Sequence, residues 1–166
     1  MGRQFIDTYS DDMLYLVDAR NLLLQNGRFE YLVTPAFCRM FIVNMVGAVE
    51  ASLNSWKKED GTDILSSYFT SRNNQEKVDN LYNAFISAGI PVEKEVFDDY
   101  LAIHYLRHKI VHSKEKDTER RDDWIKSRGF PIDTREFTVD DWDRIQKLND
   151  ILISYLGYAY VLDPNR

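Results

Sequence analysis

Along this chain the apolar residues recur every three or four positions, with no sustained alternation, so the pattern predicts helices almost throughout. Ser10 with Asp11 and Asp12 predicts a capped start, the apolar set runs from Met13 to Leu24, and Asn26-Gly27 predicts a stop. Thr34-Pro35 predicts the next start, with threonine as cap and proline in the first turn. The run after it, "AFCRMFIVNMVGAVEASLNSW", is apolar on nearly every side. Such a helix belongs at the centre of a domain or inside an oligomer. Arg39, Asn44 and Glu50 interrupt it, each at a cost in hydrocarbon, so a membrane crossing is not expected.

Val78, Leu81, Tyr82, Phe85 and Ile86 mark a third helix, closed by Gly89 just before Pro91. A fourth runs through the Tyr100 region. Residues 114–137 are polar and read as a long insertion, with room for one short helix around Trp124. Thr138 with Asp141 forms a variant capping box. The last helix then places Trp142, Ile145, Leu148, Leu152, Tyr155 and Leu156 on one face. Neither a repeat nor a strand pair emerges. The expected architecture is an all-α, single-domain helical bundle of about five main helices over residues 1–166.

Composition sharpens this reading. A hydrophobic share of 44% with 13% aromatics supplies a real core, and the single cysteine, Cys38, lies in the apolar run as a small core residue. One cysteine allows no internal disulfide, and "MGRQFIDTYSDD" has no export pattern, so a reducing, cytoplasmic setting is expected. The net charge of −6 argues against generic nucleic-acid binding. Between Arg107 and Arg128, however, eight basic residues face five acidic ones, a local +3 that leaves −9 on the rest. Lys109, Lys114 and Lys116 belong to this segment, which is either a solvated loop or a docking patch.

The chemistry concentrates in "YLAIHYLRHKIVHSK", Tyr100 to Lys114, which holds all three histidines. On a helical wheel Val96, Tyr100, Ile103, Ile110 and Val111 cluster, and Arg107 falls within that cluster. A buried guanidinium stays charged and needs an anion. Glu50, the carboxylate within the apolar body of the second helix, is the internal candidate, and a buried Glu50–Arg107 ion pair would fix how two helices pack. His104, His108 and His112 succeed one another at i, i+4 spacing. Two such histidines can hold zinc, but Asp98 and Asp99 point to the other side of the wheel, so no metal site is expected. For His104 a hydrogen-bonded structural role is the favoured reading.

"RHKIVHS" is an R-x4-H arrangement, Arg107 to His112, near the end of a helix in a small all-α domain. With Glu50 in "VGAVEASL" on an earlier long helix, it resembles the signature of the HEPN superfamily (higher eukaryotes and prokaryotes nucleotide-binding domains). The likeness covers about Thr34 to Tyr158 in helix order, and only the short motif is sharp. The resemblance implies a metal-independent, cofactor-free endoribonuclease, toxin or defence effector, acting as a homodimer whose two motifs meet in one cleft. It implies His112 as general acid or base, Arg107 as phosphate clamp, His108 as assistant at a variable polar position, and Glu50 orienting Arg107. Lys109, Lys114 and Lys116 would then meet RNA. Some relatives in that superfamily carry a modifiable tyrosine two residues after the histidine. Here that position is Lys114, which puts silencing by that route, with its antitoxin partner, in doubt.

Residues five apart on a helix diverge by about 140°, so Arg107 and His112 can cooperate only if the helix ends near Val111 or a partner wraps its end. Two classes of function stay open at this point. One is an RNA-cleaving enzyme. The other is a non-catalytic HEPN-like module that binds a nucleotide or a partner protein and keeps Arg107 for structure.

Overall fold

The structure is a computed structural model that describes residues 2–56, 65–112 and 118–162. It is all-α: α1 (Gly2–Gln25), α2 (Glu30–Trp56), a 3₁₀ turn (Ser66–Thr70), α3 (Asn74–Ser87), α4 (Lys94–Val111), α5 (Thr118–Ser127) and α6 (Val139–Leu162). No strand occurs among the described residues. Lys114 and Lys116 lie outside them.

Helix ends obey local chemistry where that chemistry was readable. Gly27 takes φ +76°, and Arg28 N–H reaches back to the Leu23 carbonyl at 3.1 Å, closing α1 in a left-handed cap. At α6, Thr138 Oγ1 accepts from Asp141 N–H at 3.3 Å while Thr138 N–H donates to the Asp141 carboxylate at 2.8 Å. This is the predicted reciprocal cap.

Two starts differ from expectation. α1 runs through Ser10 from Gly2, because Tyr9 lies over Gly47 of α2, where an added Cβ would stand 3.1 Å from its ring. α2 begins at Glu30, so Pro35 lies inside the helix and Thr34 is not its cap. The Thr34 hydroxyl is instead buried and accepts from Arg20 Nη2 at 3.0 Å. The Arg20 guanidinium also stands 5.0 Å from the Trp142 ring centre. The arginine buried in the core is therefore Arg20, tying α1, α2 and α6 together without a carboxylate among the described residues.

α4 is the central element and packs against α2, α3, α5 and α6. Its residues Tyr100 to Leu106 are buried without interruption, as a helix covered on every side requires. Asp99 fastens it to its neighbours, accepting from Arg128 Nε and from Arg144 Nη2, each at 2.7 Å. α2 packs against α1, α4 and α6; by length and composition it could cross a membrane, and just over half of its apolar window is buried in the bundle. Cys38 on α2 is fully buried, and burial pushes its thiol up to about 12, so it is a core residue and no nucleophile.

The 114–137 segment contributes to the core through α5 and the loop leading from it to α6. Ile125, Phe130 and Phe137 are buried, and Trp124 Nε1 donates to the Asp98 carbonyl at 3.1 Å. Within α5 the apolar contact comes from the adjacent Trp124 and Ile125 alone, and these two dock the short helix on α4. Ile86, expected on the inner face of α3, is 48% exposed.

Candidate functional site

α4 carries the candidate residues from its buried middle to its end, so their environments grade from dry to wet. His104 is 3% exposed, Arg107 and His108 are half-buried, and His112 is exposed.

The inner end is a polar cluster that runs from the core to the edge of the bundle. The Tyr68 hydroxyl, from the 3₁₀ turn, lies 3.0 Å from His104 Nε2 and 3.4 Å from Glu50 Oε1. Both contacts are satisfied when His104 carries its proton on Nε2, donates to the phenol oxygen, and the phenol donates onward to the carboxylate. Burial, then the charges of Lys77 and Arg107, push the His104 pKa down to about 3, so this imidazole is neutral at ordinary pH. Burial and the Glu50 charge raise the Tyr68 phenol. Tyr100 packs edge-on against the His104 ring at 4.7 Å. Its buried hydroxyl sits near Tyr68 but outside good hydrogen-bond geometry.

Glu50 does not hold Arg107. Its side chain is 41% exposed, and its ionic partner is Lys77 Nζ at 3.8 Å. The expected buried Glu50–Arg107 pair is thus absent, because Lys77 of α3 and Tyr68 reach the carboxylate instead. Glu50 as the residue orienting Arg107 has to be withdrawn on the same ground. Arg107 makes no hydrogen bond or ion pair among the described residues, although its charge reaches Tyr68 and His104. Half-burial leaves it a route to water, and that removes the need for an internal anion.

The outer end answers the 140° difficulty. α4 stops at Val111, and His112 is its cap residue, with extended backbone at φ −118° and ψ 108°. The His112 amide still donates to the His108 carbonyl at 2.8 Å, and the two rings lie 4.6 Å apart. Because His112 has left the helix, its side chain is released from the helical angle relative to Arg107. Lys109 is held by Asp122 of α5 at 2.7 Å, so its charge is engaged. The Nε2 of His104 is committed to Tyr68, and no three metal-ligating side chains gather among the described residues.

Sequence reasoning missed Tyr68, Lys77 and Tyr100. Tyr68 sits in a 3₁₀ turn whose place beside α4 no local pattern announces. A cleft was missed as well. It opens between the start of α3 and α5, with Tyr105 at its floor, and contains neither Arg107, His108 nor His112. Comparison of the chain with family models, curated proteins and solved structures finds no significant match.

Proposed function

We propose that this protein is a metal-independent endoribonuclease that works at the end of α4 through the 2′-hydroxyl of its RNA substrate. The observation that carries the reading is the state of Arg107: a half-buried guanidinium without a hydrogen-bond or ion-pair partner among the described residues, one turn from the point where the helix releases His112. Two parallel donors suit a phosphate oxygen pair, and the neighbouring imidazole suits the proton transfers that 2′-hydroxyl attack demands. In this scheme Arg107 grips the scissile phosphate and His112 moves the proton. His108, in ring contact with His112, supports it.

A homodimer is part of the proposal. Leu22, Phe29, Tyr31 and Leu32, around the turn joining α1 to α2, are each at least 60% exposed, a concentration of large apolar side chains that a second copy would cover. A toxin or defence role belongs to the same reading, as does a protein partner that restrains it.

The test is incubation of the purified protein with total RNA, with and without EDTA. Cleavage that persists in EDTA and leaves 2′,3′-cyclic phosphate ends, with DNA untouched, supports the reading. Cleavage lost in EDTA and restored by zinc would replace it with a metal mechanism. No cleavage under either condition would favour the non-catalytic module.

A further inference from the structure

The cleft between the start of α3 and α5 has a volume of about 480 Å³, within the range of small-molecule sites. Its walls differ in chemistry. The α3 side presents the side-chain amides of Asn74 and Gln75 and the carboxylates of Glu76 and Asp79, and the α5 side presents Arg120 and Arg121. Tyr105 of α4 closes the floor, 9% exposed, with the Arg121 guanidinium 5.7 Å from its ring centre.

Each wall suits a different part of a nucleotide. Arg120 Nη2 donates to the neutral Gln75 Oε1 at 2.8 Å, so its charge is not cancelled by a carboxylate among the described residues and can meet a phosphate. Glu76 already accepts from Arg72 N–H at 2.8 Å and Asp79 from Lys94 Nζ at 2.9 Å. A carboxylate oxygen has further lone pairs, so both can still accept. Two carboxylates on one wall would repel a bare phosphate placed among them. They favour a group that brings N–H donors, and the exocyclic amino groups of adenine, cytosine and guanine supply two each, whereas uracil has no amino group and offers only its single N3–H between two carbonyl acceptors.

We propose that this cleft seats an unpaired amino-bearing base of the same RNA strand that Arg107 and His112 would cleave, an inference that rests on the ribonuclease reading. Tyr105 precedes His112 by two turns of α4, roughly 10 Å along the axis. Tyr105 and Arg107, two residues apart, lie about 200° apart around α4, so a strand that reaches both passes round the helix between the cleft and the cut. The cleft thereby sets a sequence preference at a fixed distance from the cut, and uracil at that position is disfavoured.

The experiment uses fluorescently labelled 2′-O-methyl nonamers, which cannot be cleaved, and measures binding by anisotropy. One probe is all uracil and the other carries a single central adenine. The wild type should bind the adenine probe about 5-fold tighter or more, the lower end for one well-placed base contact. Asp79→Ala should reduce that ratio below about 2-fold, since it removes a base acceptor and only a surface ion pair. Arg120→Gln should weaken both probes alike and flatten the salt dependence by about one charge. Circular dichroism melts confirm that both variants fold.

A wild-type ratio near one, or a ratio untouched by Asp79→Ala, overturns the proposal. A parallel cleavage assay on the matching RNA separates its failure from that of the ribonuclease. Selective binding without cleavage sinks the enzyme and leaves the subsite, while cleavage without selectivity sinks the subsite alone. Absence of RNA binding removes both.

Discussion

The Tyr68 hydroxyl stands 3.0 Å from His104 Nε2, and both side chains are sealed in the core. That contact joins the turn before α3 to the middle of α4 and passes on to Glu50 at the edge of the bundle. It is one of two buried polar contacts between elements among the described residues, the other being Arg20 with Thr34. A buried network of this kind strengthens a fold only while every member is satisfied.

His104 makes the fold sensitive to acid. Its pKa is about 3 in the folded chain and 6.5 in the unfolded one, so the unfolded state binds the extra proton between those values. This contribution is fully present above pH 6.5 and is lost as pH falls toward 3, at on the order of 1 kcal/mol per pH unit. Urea titrations at pH 7.5, 5.5 and 4.5 should show a steeper loss for the wild type than for His104→Gln. Equal slopes would mean that the imidazole is not buried as described.

Tyr68→Phe removes the hydroxyl that serves both His104 and Glu50. The phenyl ring still fills the site, but the buried imidazole nitrogen loses its partner, at a cost of about 1–3 kcal/mol. A denaturant midpoint unchanged from the wild type would show that this contact adds nothing to stability.

Arg107→Ala and His112→Ala should both keep the fold, because Arg107 has no ionic partner among the described residues to orphan and His112 is exposed. RNA cleavage should fall by roughly 10²-fold in His112→Ala, the scale for a positioned acid or base, and should be abolished in Arg107→Ala. Glu50→Gln should leave cleavage within a few-fold of the wild type, since Lys77 and Tyr68 take up its carboxylate. A folded, fully active His112→Ala would end the assignment.

Light scattering at micromolar concentration should report about twice the chain mass of 19.6 kDa. Replacing the exposed Leu32 by glutamate should shift the protein to monomer, with its melting temperature little changed, because this side chain is 60% exposed in the single chain. A wild type that runs as a monomer would remove the shared-cleft arrangement.

Much of this protein was legible in its residues one stretch at a time. The helical period, the Gly27 stop, the Thr138–Asp141 cap and the core faces of α3 and α6 depend on neighbours within a few positions, and local sterics and hydrogen bonding set them. The motif was visible for the same reason. That α4 ends at Val111 was only a condition the motif demanded, and the structure meets it.

What the sequence could not decide was which of several compatible partners each polar group would take. The helical wheel put Arg107 on a buried face, but the packing of α1 on α2 and α6 buried Arg20 between Thr34 and Trp142 and left Arg107 half in water. Glu50, which the sequence paired with Arg107, took Lys77 instead. Tyr68 acquired its role because a short turn was laid against α4. Local periodicity specifies which face of a helix is apolar, but partner choice among long polar side chains depends on distances between elements far apart in the chain. Those distances exist only once the helices have packed.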